Sequence, residues 1–168
     1  MQSRFDDAVL VALGSNLKGA YASCQKLLEV TLDHFAGAGL TVVDRSSWWR
    51  SAAWPDPAEP DYINGVALVE TALGPHETLA ALHEIEARFG RFRDRPNAPR
   101  TLDLDLIAHG RTVIREDPLI LPHPRAAERL FVMGPLSEIA PDWRHPVLGE
   151  LATALAATAS VGRDAAPV

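Results

Sequence analysis

From Thr101 to Leu106 a polar residue and a leucine alternate without a break, in Thr101-Leu102-Asp103-Leu104-Asp105-Leu106. A period of two fits a strand with one buried face and does not fit an amphipathic helix. Leu102, Leu104 and Leu106 take the buried side, so Asp103 and Asp105 project together from the other. Two carboxylates this close repel unless a cation lies between them, and a hard divalent ion such as Mg²⁺ is the usual solution. The other reading is an edge strand whose acidic face is simply solvated. Arg100 has the parity of the leucines. It joins the aspartates only if the chain is still irregular next to Pro99.

The flanking segments give this strand its neighbours. Ala8–Gly14 is a short apolar run ending in glycine and reads as a buried strand. Residues 19–36 read as a helix, with Cys24, Leu28, Leu32 and Phe35 at spacings of three and four, and Gly37 and Gly39 stop it. Residues 40–51 read as a second strand, and a proline-rich loop follows from Trp54 to Pro60. Residues 62–73 read as a third strand. Pro75 suits the first turn of a helix that keeps Leu79, Leu82, Ile85 and Phe89 on one face and ends at Gly90. An arginine- and proline-rich loop, Arg91 to Pro99, leads into the aspartate strand.

The order strand, helix, strand, strand, helix, strand predicts an α+β, ferredoxin-like βαββαβ core, with helices on one face of an antiparallel sheet. From Gly110 onward proline is more frequent and the elements shorten into a C-terminal extension. Residues 151–159 read as a last, alanine-rich helix and the final residues as frayed. At 168 residues, one domain over 1–168 is expected, with its core at about 8–146 and a C-terminal helix and tail at 147–168.

A net charge of −6 argues against a nucleic-acid surface. Positive charge is nonetheless concentrated locally. Arg88, Arg91, Arg93, Arg95 and Arg100 precede the aspartates, and Arg125 and Arg129 follow, which points to a small anionic ligand such as a polyphosphate. The single cysteine, Cys24, reads as a core residue rather than a nucleophile. With no disulfide framework or zinc pattern, a reducing cytoplasm fits. Residues 1–7 lack the apolar core of a signal peptide, and no run approaches the roughly 20 apolar residues that span a bilayer.

Three further clusters carry chemistry. Gly14-Ser15-Asn16-Leu17-Lys18-Gly19 follows a strand and opens a helix, but Ala20-Tyr21 stand where a phosphate loop requires Lys and Ser/Thr. Ser15 or Asn16 is read instead as a helix cap. Tyr62 and Asn64 share a strand face, so a ring for stacking lies beside an amide that donates and accepts. That pair suits a flat heterocycle; the alternative is a strand-end aromatic with a turn asparagine. His123, between Pro122 and Pro124, can donate to a phosphate oxygen or cap a turn, and a helical turn would bring Arg125 and Arg129 together. No Ser/His/Asp or Cys/His pairing supports a covalent intermediate.

Taken in order, Ala12-Leu13-Gly14-Ser15-Asn16-Leu17, Pro60-Asp61-Tyr62-Ile63-Asn64, Gly90-Arg91-Phe92-Arg93, Pro99-Arg100-Thr101-Leu102-Asp103-Leu104-Asp105, Leu121-Pro122-His123-Pro124-Arg125 and Arg129-Leu130-Phe131 resemble the 6-hydroxymethyl-7,8-dihydropterin pyrophosphokinase family of folate biosynthesis. The resemblance implies that ATP gives its β,γ-pyrophosphoryl group to the pterin hydroxymethyl oxygen, releasing AMP. It implies that Asp103 and Asp105 hold two Mg²⁺ ions bridging the ATP phosphates. Tyr62 and Phe131 would sandwich the pterin while Asn64 bonds its edge. Glu86 would bind the nucleotide, and Arg91, Arg100, His123 and Arg129 would contact phosphates or close over them, with Arg91 and Arg100 counted among the catalytic groups. The expected partners are ATP and a reduced pterin, with no nucleic acid and no membrane, and a monomer is expected.

Departures from the family pattern concern closure. Asn97-Ala98 stand where many relatives carry Trp-Gly, Glu59 replaces a glutamine, and Ser51-Ala52-Ala53-Trp54 replaces a proline-bearing segment. Pro118 and Ile120 stand where some relatives have polar nucleotide contacts. Trp54 is the candidate for part of the lid's role. Two other readings remain from the residues: another Mg²⁺-dependent nucleotidyl- or phosphotransferase, and a non-catalytic metabolite-binding module.

Overall fold

The chain was analysed as a computed structural model, in which residues 5–53, 56–90 and 102–168 are described. Its centre is β1 (Val9–Ser15), buried along its whole length. A strand covered on both faces needs apolar residues at both parities, which explains the unbroken run. On one side β1 pairs antiparallel with β4 (Tyr62–Glu70), on the other with β5 (Asp103–His109). The segment expected as one second strand runs along the free edge of β4 as two, β2 (Thr41–Arg45) and β3 (Trp49–Ser51). The break has a local cause. Ser46 Oγ accepts the Val66 N–H at 3.0 Å, and the Trp48 ring lies under Gly65, where a Cβ would stand 2.6 Å from it.

The sheet order β5-β1-β4-β2/β3 is that of a split βαβ core. Helices α1 (Cys24–Asp33) and α2 (Pro75–Arg88) cover one face. Leu27, Leu28 and Phe35 from the α1 segment and Leu82 and Ile85 from α2 pack on Val9, Val11, Leu13, Leu104 and Leu106. Pro75 opens α2 as its position predicts, and the Glu77 carboxylate accepts the Gly74 N–H at 3.2 Å. Gly39, at φ +86, closes the turn after α1.

Three sequence expectations are corrected here. Helix α1 starts at Cys24, not Gly19, and its cap is Ser23, whose hydroxyl accepts the Lys26 N–H at 3.0 Å. Ser15 and Asn16 are used in the turn instead: Ser15 Oγ donates to Leu17 O and Asn16 Nδ2 to Pro60 O, each at 3.2 Å. Cys24 is therefore at the helix start and only half-buried, so it is no core residue.

Helices cover both faces of the sheet, not one. Helix α3 (Leu130–Ile139) lays Val132, Met133, Leu136 and Ile139 on Leu10, Ala12, Val66 and Ile107, and α4 (Ala152–Thr158) adds Ala152 and Leu155. A short hairpin, β6 (Ile114–Glu116) and β7 (Leu119–Leu121), leads to His123, whose N–H donates to Ile107 O at 2.9 Å. The last residues are not frayed. Ala166–Pro167 forms β8 against β3, and the Val168 N–H donates to Trp48 O at 2.9 Å. Among the described residues, no helix is long and apolar enough to cross a membrane.

Candidate active site

On the α3 face the β1 side chains shrink toward one end: Leu10, then Ala12, then Gly14. The two neighbouring strands set functional groups around that end. Asp103 of β5 is opposite Gly14, and Gly14 is opposite Asn64 of β4, so the three form one cross-strand row with the glycine as spacer. Asp105 is opposite Ala12 and therefore shares the aspartates' face, as the alternation predicts. A Cβ on Gly14 would stand 3.4 Å from Asn64 Oδ1 and 3.8 Å from Tyr62 Cδ1. Its absence leaves a cleft of about 170 Å³ lined by Tyr62, Asn64, Asp103, Asp105, Arg129 and Phe131, among others.

Each group has a local reason for its place. Asn64 is buried and donates through Nδ2 to Ser51 Oγ at 2.9 Å, which leaves Oδ1 on the Gly14 side. Phe131 lies in the first turn of α3 and Tyr62 at the start of β4, both half-buried. The Arg129 guanidinium carbon lies 5.7 Å from the Phe131 ring centre.

His123 Nδ1 accepts the Arg125 N–H at 3.2 Å, and Nε2 stands 4.0 Å from Asp105 Oδ1. Burial lowers the imidazole from its ordinary value to about 4; the Arg129 and Arg125 guanidiniums act in the same sense, and Asp103 opposes them. The ring is thus neutral at pH 7, with its proton on Nε2 because Nδ1 is already an acceptor. That N–H faces Asp105 and the space beside it.

A second cleft, of about 230 Å³, opens on the other side of Asp105. Leu79 and His83 of α2, Pro118 and Ile120 of the hairpin, and His123 line it. Asp105 lines both clefts and so stands where they meet. Glu86 lines neither: it is buried, and its Oε2 accepts the Leu104 N–H at 2.9 Å. Leu104 separates the two aspartates, so this carboxylate holds the strand that presents them.

The structure thus brings together Tyr62, Asn64, Asp103, Asp105, Arg129 and Phe131 around one cleft and places His123 beside them. Arg91, Arg100, Trp54 and the Asn97-Ala98 segment lie outside the described residues. A donor set of two carboxylates fits a hard cation that keeps most of its ligands as water and phosphate oxygen. Among the described residues, no three His, Cys, Asp or Glu side chains converge as a metal cage.

A family model described as 7,8-dihydro-6-hydroxymethylpterin-pyrophosphokinase (HPPK) matches residues 10–141. The chain belongs to this family. Over 142 residues it is 43% identical to the 2-amino-4-hydroxy-6-hydroxymethyldihydropteridine pyrophosphokinase of Synechocystis sp., covering 84% of this chain and 70% of that protein. It is 38% identical over 160 residues to the protein of the same name from Pseudomonas aeruginosa, covering 95% and 96%. Its fold is similar to that in the crystal structure of wild-type Plasmodium falciparum HPPK-DHPS with pteroate, at a TM-score of 0.67 and 12% identity. That match covers 89% of this chain and 42% of the Plasmodium chain, so the HPPK-family chain spans less than half of the solved one.

Several lining residues of this HPPK-family chain were not singled out by its sequence. Leu79 and His83 stand at i, i+4 on α2, and Leu79 reads as part of the core face. Ser51 reads only as a strand end, although it fixes the Asn64 amide. Val161 lies in the tail, where nothing local marks it as part of a cleft.

Proposed function

We propose that this chain transfers the β,γ-pyrophosphoryl group of ATP to the hydroxymethyl oxygen of 6-hydroxymethyl-7,8-dihydropterin, giving AMP and the pterin diphosphate for folate biosynthesis. One observation carries the reading beyond family membership: Asp105 lies where two clefts meet, one with two aromatic rings and an amide, the other with His83 and His123 beside aliphatic side chains. A two-substrate reaction needs the transferred group held between its donor and acceptor.

In this reading Tyr62 and Phe131 stack on the pterin and the Asn64 amide, fixed by Ser51, bonds the ring edge. The nucleotide occupies the second cleft, with Glu86 setting the β5 backbone at that end. Asp103 and Asp105 would hold two Mg²⁺. Bound there, the ions would neutralise phosphate charge and lower the pKa of the acceptor hydroxyl. The neutral His123 donates from Nε2 to a phosphate oxygen, and Arg129 supplies positive charge between phosphate and pterin. Arg91 and Arg100 contribute further phosphate contacts. Neither aspartate acts as a base, since both are committed to metal.

The protein works as a cytoplasmic monomer with no nucleic acid or membrane partner, and residues 1–168 act as one domain in which the tail is integral. Incubation with ATP, Mg²⁺ and the reduced pterin tests the activity. AMP and the pterin diphosphate are expected in equal amounts. Formation of ADP contradicts pyrophosphoryl transfer, and an absence of AMP from folded protein favours a binding module.

A further inference from the structure

Residues 160–168 follow the last helix and lie beyond the segment matched by the family model, which ends at residue 141. They nevertheless run along the aromatic cleft and tie its two sides together. On the α3 side, Glu128 O accepts the Ser160 and Val161 N–H groups at 3.1 and 2.9 Å, and Val161 O accepts the Leu130 N–H at 2.9 Å. These bonds hold the segment against the turn carrying Arg129 and Phe131. Gly162, at φ +70, then passes so close to the Phe131 ring that a Cβ there would overlap Cδ1. Backbone conformation and space both require glycine at this position. On the β3 side, Asp164 Oδ2 accepts the Ala52 N–H at 2.6 Å, and Ala166 and Pro167 pair with Arg50 and Trp49. Ala52 and Val161 both line the cleft.

We infer that this strap is a positioning element for the pterin, with Val161 as part of the pocket wall and Asp164 as the residue that fixes the opposite wall at Ala52. The inference rests on the proposed pterin reading of this cleft. Ser51, which orients the Asn64 amide, directly precedes Ala52, so the Asp164 bond sets the backbone next to the group proposed to read the ring edge. Phe131 keeps its ring orientation because Gly162 backs it. Among the described residues, the strap lines the aromatic cleft and not the second one, so its effect is expected on one substrate.

Steady-state kinetics on Asp164→Ala, Asp164→Asn and Val161→Ala, with Tm measured alongside, test the inference. Asp164→Ala is expected to raise KM for the pterin about fivefold while kcat and KM for ATP stay within about twofold of wild type. Asp164→Asn, which keeps an acceptor for the Ala52 N–H, is expected to restore the wild-type value. Val161→Ala changes an exposed side chain, keeps Tm and raises pterin KM by about two- to threefold, so the inference stays testable if Asp164→Ala does not fold. Unchanged pterin KM in both Asp164→Ala and Val161→Ala overturns it. So does an equal rise in both KM values with a lowered Tm, which marks a purely structural role. A wild-type chain that forms no AMP removes the pterin reading and the strap's role with it, whereas an active wild type with unaffected variants removes the strap alone.

Discussion

The two faces of the sheet are built from the same strands and do opposite things. On the α1/α2 face, β1 presents Val9, Val11 and Leu13, and Leu102 joins Leu104 and Leu106 of β5 in the same buried layer, the last two also lining the second cleft. On the α3 face, one residue out of step, the same strands present Leu10, Ala12 and Gly14, and Asp103 and Asp105. The first face fills space and the second empties it at one end. A strand's period of two lets a single segment serve the core and the site together, because substitutions on one face leave the other's parity intact.

That contrast is open to direct attack, and the largest effect is expected on the open face. Asp103→Ala or Asp105→Ala should abolish turnover, a loss of at least about a thousandfold, with Tm near that of wild type, because half-exposed charges add little to stability. Loss of folding would give the pair a structural role. Leu102→Ala, next to Asp103 in sequence but buried on the sealed face and lining neither cleft, should do the reverse. It should cost about 2–5 kcal/mol in denaturant unfolding and leave the kcat of the folded fraction near wild type. A smaller effect is expected from Gly14→Val, which puts side-chain atoms into the space beside Asn64 Oδ1 and Tyr62. Pterin KM should rise about tenfold while KM for ATP holds; equal changes in both would show that the two clefts are not separate in function.

The smallest effect concerns pH. The folded His123 pKa of about 4 lies below its ordinary 6.5, so between those values the unfolded chain binds the proton and the folded chain does not. Stability is therefore retained above about pH 6.5 and declines as pH falls toward 4. His145, also lowered by burial, acts in the same direction. His123→Asn keeps an acceptor for the Arg125 N–H and should make the decline shallower. An unchanged slope in a urea titration across that range would assign it to other groups.

The sealed face was the legible one. Alternation in β5, the apolar run of β1 and the 3–4 spacing in α2 all record a core pressed from a known side. The Asp103/Asp105 pair was legible for the same reason, since the leucines fix the parity. Helix α3 was not. It is apolar nearly all round because it is buried, so it has no polar face to mark its period, and Gly134-Pro135, which disfavour a helix, stand inside it. Gly134 is there for Trp49, whose ring a Cβ would approach to 2.6 Å, a contact 85 positions away that no window could register. The tail was missed on similar grounds: β8 is two exposed residues long, and its partner β3 is distant in sequence. The stacking role of Phe131 came from family resemblance and that of Tyr62 also from its shared strand face with Asn64. The Glu86 bond to the β5 backbone and the register that unites Asp103, Gly14 and Asn64 came only from the fold.

The central claim is that the open face holds a carboxylate-bound metal between a nucleotide cleft and a pterin cleft. Its most direct test is the Kd of a non-hydrolysable ATP analogue, measured with and without Mg²⁺, for wild type and for the Asp103→Ala/Asp105→Ala double variant. Mg²⁺ should tighten binding to the wild type by at least about tenfold and leave the double variant unchanged. An equal tightening in both proteins would contradict the claim.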